Sequence, residues 1–194
     1  MIAFVRGQFA VKTPGRVVVD VNGVGYDLQI SLNTYSAISN KESGQLFTYL
    51  HITENAQTLF GFAELTEKEI FLQLISVSGV GASTARMMLS GMRPDEIARA
   101  IVQGNTRQLE SIKGIGKKSA ERLIVELRDK LGKQSIESSF AVAGVQTVDA
   151  DAVNALIALG ISRPMADQAV KKTMASVAEQ ASLEDIIKQA LKNL

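Results

Sequence analysis

Two glycine-containing segments of the sequence have the residue types and spacing of a phosphate-binding turn. Residues 76–85 align with residues 111–120 at an offset of 35 positions, and both segments place one apolar residue between two glycines. These residues are Gly79, Val80 and Gly81 in the first copy and Gly114, Ile115 and Gly116 in the second. Helical patterns precede and follow each copy, so the sequence predicts two helix–hairpin–helix motifs.

The start of the second helix in each motif is the predicted binding site. The first N–H groups of a helix have no partner within the helix and lie at the positive end of its dipole, so they can bind a phosphate. The second copy adds the side chains of Lys117 and Lys118, with Arg122 one turn after Lys118 on the same face. The first copy offers backbone amides, the Ser83 hydroxyl and Arg86, so we expect it to bind phosphate more weakly.

The expected ligand of the two motifs is DNA of any sequence. Contacts between backbone amides and phosphates position a protein on DNA without reading its bases. A single glycine pair often marks a plain turn between helices, which is the structural alternative, but two copies in register favour phosphate binding. A nucleotide-binding P-loop is excluded, because Ser111 and Lys118 occupy positions where its motif requires glycine and then serine or threonine.

The composition restricts the chemistry that the chain can perform. The 194 residues contain no cysteine and a single histidine, His51, which excludes disulfides, thiol catalysis, zinc fingers and paired-histidine metal sites. No cluster of carboxylates suits a metal-dependent nuclease. We therefore predict no metal, no cofactor and no catalytic residue.

The sequence predicts a cytoplasmic protein that does not contact membranes. No apolar run approaches the roughly 18 residues that a membrane span requires, and the N-terminus has no signal-peptide core.

The first 63 residues predict a small β-barrel. Asn22 and Gly23 lie between two apolar runs, and this pair is the strongest short signal for a two-residue hairpin. The predicted strands are Ile2–Val11, Val17–Val21, Val24–Ile30, Leu46–Ile52 and Gln57–Phe62. Five short strands in about 60 residues are typical of an OB-like barrel. The eight aromatic residues of this segment are predicted to fill its core, with base stacking as the alternative.

An all-α domain is predicted over residues 64–132. The period of the apolar residues changes at Thr66, where a capping box with Glu69 predicts the start of the first helix. The last helix is predicted at Lys117–Leu131, with Gly132 as its C-terminal cap. This domain contains both hairpin motifs.

A linker and a small helical domain complete the predicted organisation. Residues 133–147 lose all periodicity and are rich in serine, glutamine and small residues, so they predict a flexible linker. Residues 148–194 predict a three-helix bundle with helices at Asp149–Leu159, Pro164–Val177 and Leu183–Asn193. The predicted fold class is therefore multidomain α+β: an OB-like barrel, a double helix–hairpin–helix domain and a three-helix bundle.

This order of domains resembles the RuvA family, the Holliday-junction-binding subunits of the bacterial branch migration machine. The matching segments are Gly23–Tyr26, Leu59–Phe62, Leu89–Met92 and Gly114–Ile124. The resemblance covers the whole chain. It implies a homotetramer, or an octamer, that holds a four-way DNA junction open during recombination and DNA repair. It also implies a RuvB-like hexameric ATPase and a RuvC-like resolvase as partners.

The C-terminal bundle is similar to a ubiquitin-associated fold, and in the family this mobile domain recruits the ATPase. Met165, Val170 and Met174 are candidate contacts with that partner. The same spacing also suits packing in the core of the bundle, which is the alternative.

The family also places two adjacent acidic residues on a barrel loop that reaches the centre of the junction as a pin. This sequence has Glu54 and Asn55 there, between Thr53 and Ala56, so half of the usual negative charge is missing. The alternative for Glu54 is a solvated carboxylate on an exposed turn.

Two other classes of function remain as alternatives at this point. One is a DNA repair enzyme, a nuclease or glycosylase, that uses the helix–hairpin–helix motifs as anchors and requires a catalytic cluster. The other is a general single-strand binder that uses the barrel and prefers single strands over junctions.

Overall fold

Five strands at the N-terminus form a closed barrel in a computed structural model that describes residues 1–141, 148–174 and 182–193. The strands are β1 (Phe4–Thr13), β2 (Arg16–Val21), β3 (Val24–Ile30), β4 (Ser43–Ile52) and β5 (Gln57–Phe62). Their order around the barrel is β1-β2-β3-β5-β4; β3 and β5 pair in parallel and the other neighbours are antiparallel. The predicted hairpin turn is confirmed, because Asn22 (φ 52°) and Gly23 (φ 88°) both have the positive φ that such a turn requires.

The interior of the barrel is filled by aliphatic side chains that alternate along the strands. The fully buried members include Val17, Val19, Leu28, Ile30 and Leu46. Gly7 lets β1 approach β2, since a Cβ atom at this position would lie 1.9 Å from the carbonyl oxygen of Asp20. The prediction that the aromatic residues fill this core is wrong for several of them. Phe60 and Phe62 pack in the core of the helical domain, and Phe4 is half exposed.

A short helix that the sequence analysis did not predict lies between β3 and β4. This helix, α1 (Leu32–Ile38), is capped by Ser31, whose hydroxyl oxygen accepts a hydrogen bond from the backbone N–H of Thr34. Its seven residues are too few for an apolar period to be recognised. The packing of α1 against the helical domain stabilises it, as the polar contacts described below show.

Five helices share one apolar core after the barrel. They are α2 (Leu65–Ile75), α3 (Ala82–Gly91), α4 (Pro94–Val102), α5 (Thr106–Glu110) and α6 (Lys117–Ala141). The predicted capping box is wrong, because α2 already begins at Leu65 and its N-cap residue, Glu64, makes no side-chain capping hydrogen bond. Thr66 therefore lies inside the first turn, where its hydroxyl lies 3.5 Å from the Glu64 carboxylate.

The last helix of this domain is longer than predicted. Gly132 does not cap it, since α6 continues through residues 133–141, which the sequence analysis assigned to a linker. A glycine inside a helix costs only about 1 kcal/mol relative to alanine, and Gly132 is not among the glycines that have a positive φ. The helix therefore passes through it. Residues 142–147 of the predicted linker lie outside the described residues.

The chain divides into two compact units, residues 1–135 and residues 136–194. The second contains α7 (Val148–Ala158), α8 (Arg163–Met174) and α9 (Leu183–Lys192), close to the helices predicted there. The predicted end of the middle helix, residues 175–177, lies outside the described residues. Ser182 caps α9 by accepting a hydrogen bond from the N–H of Asp185. Within the described residues, no helix is both long and apolar enough to cross a bilayer.

Candidate nucleic-acid interface

The two predicted hairpins have the same backbone geometry. Gly79 and Gly114 have φ values of 92° and 94°, a conformation that glycine adopts without strain. One residue later, the N–H of Val80 donates to the carbonyl of Val77 (3.0 Å), and the N–H of Ile115 donates to that of Ile112 (3.1 Å). The repeat found in the sequence is therefore also a structural repeat.

The central apolar residue of each hairpin anchors it in the core. Val80 and Ile115 are each only 5% exposed and belong to the core of the helical domain. Their side chains are therefore unavailable to a ligand, and only their backbone can contribute to binding. The rigid attachment keeps the following glycine in place.

The second glycine of each hairpin is open on its outer side. A Cβ atom at Gly81 or Gly116 would meet nothing within 4 Å. Gly81 is the N-cap residue of α3 and has extended backbone angles (φ −80°, ψ 166°), and Gly116 directly precedes α6. Because a glycine cap has no side chain to satisfy the first N–H groups of the helix, those donors are left for an external acceptor.

Cationic side chains directly follow the second hairpin, in the first two turns of α6. Lys117 and Lys118 are exposed in the first turn of α6, and the Lys117 ammonium lies 4.0 Å from the Glu121 carboxylate. Arg122 donates to the Glu126 carboxylate at 2.7 Å. Exposed pairs of this kind contribute little to stability, so these cations can exchange their carboxylate partners for phosphates at low cost.

Arg86 makes contacts with the barrel that the sequence did not predict. Its guanidinium donates to the carbonyl oxygen of Gly15 (3.0 Å) and to the side-chain oxygen of Gln29 (2.5 Å), both in the barrel. Both bonds come from the same nitrogen, Nη1, so phosphate binding by the rest of the guanidinium stays a prediction. Its partners lie far away in the sequence, so no local pattern could reveal them. Ser83, which is exposed, and the backbone amides are the other predicted donors of the first hairpin.

The β4–β5 turn places the predicted pin residues at an exposed tip. The N–H of Thr53 donates to the carbonyl of Ala56 (2.9 Å), and the N–H of Ala56 donates to the Thr53 hydroxyl (3.2 Å). Glu54 and Asn55 lie between them and are both exposed. His51, further down β4, packs against the rings of Tyr49 and Phe60.

The three candidate partner contacts of the C-terminal unit divide into two groups. Met165 and Met174 are 51% and 40% exposed on α8. Val170 is only 2% exposed and packs in the core of α7, α8 and α9, so the prediction that it contacts a partner is wrong. For Val170 the other interpretation of the sequence, that this residue packs in the core of the bundle, is correct.

A buried polar cluster in the first unit was missed by the sequence analysis. The carboxylate of Glu67 on α2 accepts hydrogen bonds from the hydroxyls of Ser31 and Thr34, and all three residues are buried. A sequence signal for this cluster exists, since Glu67 lies on the same helical stripe as Ile70, Phe71 and Leu74, where an apolar residue is expected. In the part of the chain that is described, no group of acidic or histidine side chains could hold a metal ion.

Comparison with known proteins identifies the family. Residues 1–61 match the RuvA N terminal domain, residues 71–129 the SAM-like helix-hairpin-helix tandem, and residues 147–194 the RuvA C-terminal domain. The chain is 45% identical to the Holliday junction branch migration complex subunit RuvA of Flavobacterium psychrophilum over the full length of both chains. It is 42% identical to the same subunit of Cytophaga hutchinsonii over 99% of both chains, and 43% identical to that of Geobacter sulfurreducens over 100% of this chain and 99% of the relative. These matches confirm the predicted fold class, and they show that this chain, with its barrel and its two matched hairpins, belongs to the RuvA family.

Proposed function

We propose that this protein binds four-way DNA junctions without regard to sequence, holds them open, and recruits a RuvB-like ATPase that drives branch migration in recombination and repair. The observation that carries the proposal is the pair of matched hairpins with open glycines at Gly81 and Gly116. Each hairpin presents backbone donors to one phosphate, and such contacts carry no sequence information. The names of the relatives, which are Holliday junction branch migration complex subunits, support the same function.

The two hairpins contribute unequally to this binding. Lys117 and Lys118 add two charges to the backbone donors of the second hairpin, whereas the equivalent positions of the first are Ala82 and Ser83. Arg122 corresponds to uncharged Met87 at the same offset. The second hairpin therefore supplies most of the electrostatic attraction, and the first serves mainly as a neutral backbone contact.

If the protein does not read bases, junctions whose arms have unrelated sequences should bind with equal affinity. Two synthetic four-way junctions with different sequences should bind with the same dissociation constant at every salt concentration. The affinity for both should fall steeply as salt rises, because the contacts replace condensed counterions on the phosphates. Fluorescence anisotropy titrations over a salt series provide the measurement. A clear difference between the two sequences would contradict the proposal.

The assembly that we propose is a homotetramer or octamer in the cytoplasm, without metal or cofactor. Its proposed partners are the junction, a RuvB-like hexameric ATPase and a RuvC-like resolvase. The exposed Met165 and Met174 of α8 are proposed to contact the ATPase. Flexible methionine side chains suit such a contact, because they adapt to the partner surface.

Glu54 and Asn55 are proposed to act as the pin at the centre of the junction. Their exposed position at the tip of a tight turn supports this role. In a fourfold assembly four Glu54 carboxylates converge on one axis, where they repel the DNA phosphates and one another. This repulsion weakens binding but keeps the phosphates from collapsing onto the centre of the junction.

Glu54→Gln should therefore tighten junction binding, and Asn55→Asp should weaken it. For exposed charges we expect changes of about two- to fivefold in the dissociation constant at low salt, with little effect on folding. The two variants should also change the rate of branch migration driven by the ATPase. Glu42→Gln, at an exposed site before β4, provides a control with the same change of charge as Glu54→Gln. Wild-type affinity of both pin variants at low and moderate salt would show that the loop is a solvated turn.

A further inference from the structure

Glu67 is a carboxylate that is too deeply buried to contact a phosphate. It is 3% exposed and lies on α2, the first helix of the first hairpin. Burial raises the pKa of this carboxyl, and the hydrogen bonds from Ser31 and Thr34 oppose that shift in part. Exposed Glu64, on the preceding turn, adds a smaller repulsion that acts in the same direction as burial. An acidic residue in a core is costly, so its presence at this place requires an explanation.

Each of the two hydroxyl groups around Glu67 already accepts one hydrogen bond, which leaves its own proton free to donate to the carboxylate. The Ser31 hydroxyl oxygen accepts from the N–H of Thr34 (3.0 Å), and the Thr34 hydroxyl oxygen accepts from the N–H of Ala63 (3.0 Å). Each hydroxyl proton is therefore directed to one oxygen of the carboxylate, with a distance of 2.6 Å from Thr34. A neutral amide or a protonated acid could not accept both of these hydrogen bonds in the same geometry.

This cluster joins the barrel to the first hairpin. Ser31 and Thr34 belong to the cap and first turn of α1, whereas Glu67 belongs to α2. Further hydrogen bonds connect the same two parts: the side-chain amide of Asn33 donates to the carbonyls of Leu89 (2.7 Å) and Met92 (3.0 Å) at the end of α3. Both helices of the hairpin are thus attached to α1 through polar groups.

Apolar contact between the barrel and α2 does not by itself fix their orientation. The ring of Phe71 lies 4.9 Å from that of Phe62 and 5.1 Å from that of Phe60, centre to centre. Such contacts are attractive, but the hydrophobic effect that drives them is non-directional. Hydrogen bonds to a buried charge are strongly directional and lose most of their energy when the groups shift.

We propose that Glu67 is a positioning residue, which, through Ser31 and Thr34, fixes the orientation of the barrel and its Glu54–Asn55 loop relative to the first hairpin. This inference rests on the proposed function. An unbranched duplex requires only the phosphate contacts of the hairpins, whereas a four-way junction also requires the barrel loop to lie at the right place. Loss of the cluster should therefore weaken junction binding more than duplex binding.

The test compares the dissociation constants for a four-way junction and for a duplex of the same sequence, using Glu67→Gln and Thr34→Val in the full-length protein. Each variant should reduce the preference for the junction, measured as the ratio of the two dissociation constants, by about tenfold. This is the change that the loss of one hydrogen bond to a charged group typically causes in an equilibrium constant. Thr34→Ser retains the hydroxyl and should restore the wild-type preference. Glu69→Gln, on the same helix, removes the same charge outside the cluster and should also behave as wild type.

The ratio of the dissociation constants for duplex and junction distinguishes a positioning role of Glu67 from a general effect on the stability of the fold. A variant that only destabilises the fold lowers the active fraction equally for both DNAs, and this leaves the ratio of dissociation constants unchanged. An unchanged ratio in either folded variant would therefore overturn the inference. Thr34→Val conserves the volume of the side chain, so it provides the test if Glu67→Gln does not fold. A wild-type protein without preference for the junction would instead contradict the proposed function.

Discussion

Replacement of Lys117 and Lys118 together by alanine is expected to weaken junction binding by about ten- to a hundredfold at low salt, because two phosphate contacts per subunit lose their charge. The slope of log affinity against log salt should also become shallower, by about two for each subunit that contacts the DNA. Both lysines are exposed in the first turn of α6, so the fold should be unaffected. Titrations over a salt series measure both effects.

A control with the same change in net charge uses Lys188 and Lys192, two exposed lysines of α9 in the C-terminal unit. Alanine at both of these positions should leave the affinity and the salt slope close to those of the wild type. If the Lys117 and Lys118 variant keeps the wild-type slope, then the second hairpin is not the phosphate-binding element. An equal loss in both variants would point to net charge alone.

Removal of the C-terminal unit is expected to separate DNA binding from recruitment of the ATPase. A chain that ends at residue 141 retains the barrel, both hairpins and the whole of α6. It should bind junctions with nearly the affinity of the full chain, but it should give no stimulation of a RuvB-like ATPase. The loss of stimulation should be complete, because the proposed contact surface on α8 is absent. The rate of steady-state ATP hydrolysis in the presence of junction DNA measures the stimulation.

Two substitutions in the full-length chain locate the contact within that unit. Alanine at the exposed Met165 and Met174 should reduce stimulation of the ATPase while the bundle remains folded. Val170→Ala removes buried methyl groups from the core instead, so its main effect should be a lower melting temperature of this unit.

If the chain that ends at residue 141 no longer binds junctions, then the first unit is not sufficient for the DNA contacts.

Local patterns account for the parts of the fold and site that the sequence predicted. The hairpin at Asn22 and Gly23 and the two Gly-x-Gly turns depend on backbone conformations that glycine or asparagine adopts easily, so a few adjacent residues reveal them. The repeat also supported the prediction of the two Gly-x-Gly turns, and Gly79 and Gly114 do have the same conformation in the structure. Strands and long helices followed from the period of their apolar residues.

Contacts between distant segments account for the parts that it did not predict. Arg86 carries the charge expected of a phosphate ligand, but its position in the fold directs it to Gly15 and Gln29 of the barrel. Glu67 is an acid on an apolar stripe, and only the approach of Ser31 and Thr34 explains why it is tolerated there. In both cases the partners are more than 30 residues away along the chain, beyond the reach of any local pattern.

Recognition of junctions through two phosphate-binding hairpins is tested most directly by a competition experiment at one fixed salt concentration. A labelled four-way junction bound to the full-length protein is challenged with unlabelled junction, duplex and single strand of the same sequence. We expect the unlabelled junction to compete at far lower concentrations than the duplex, and the single strand to compete least. Equal competition by junction and duplex, or the strongest competition by the single strand, would contradict the account.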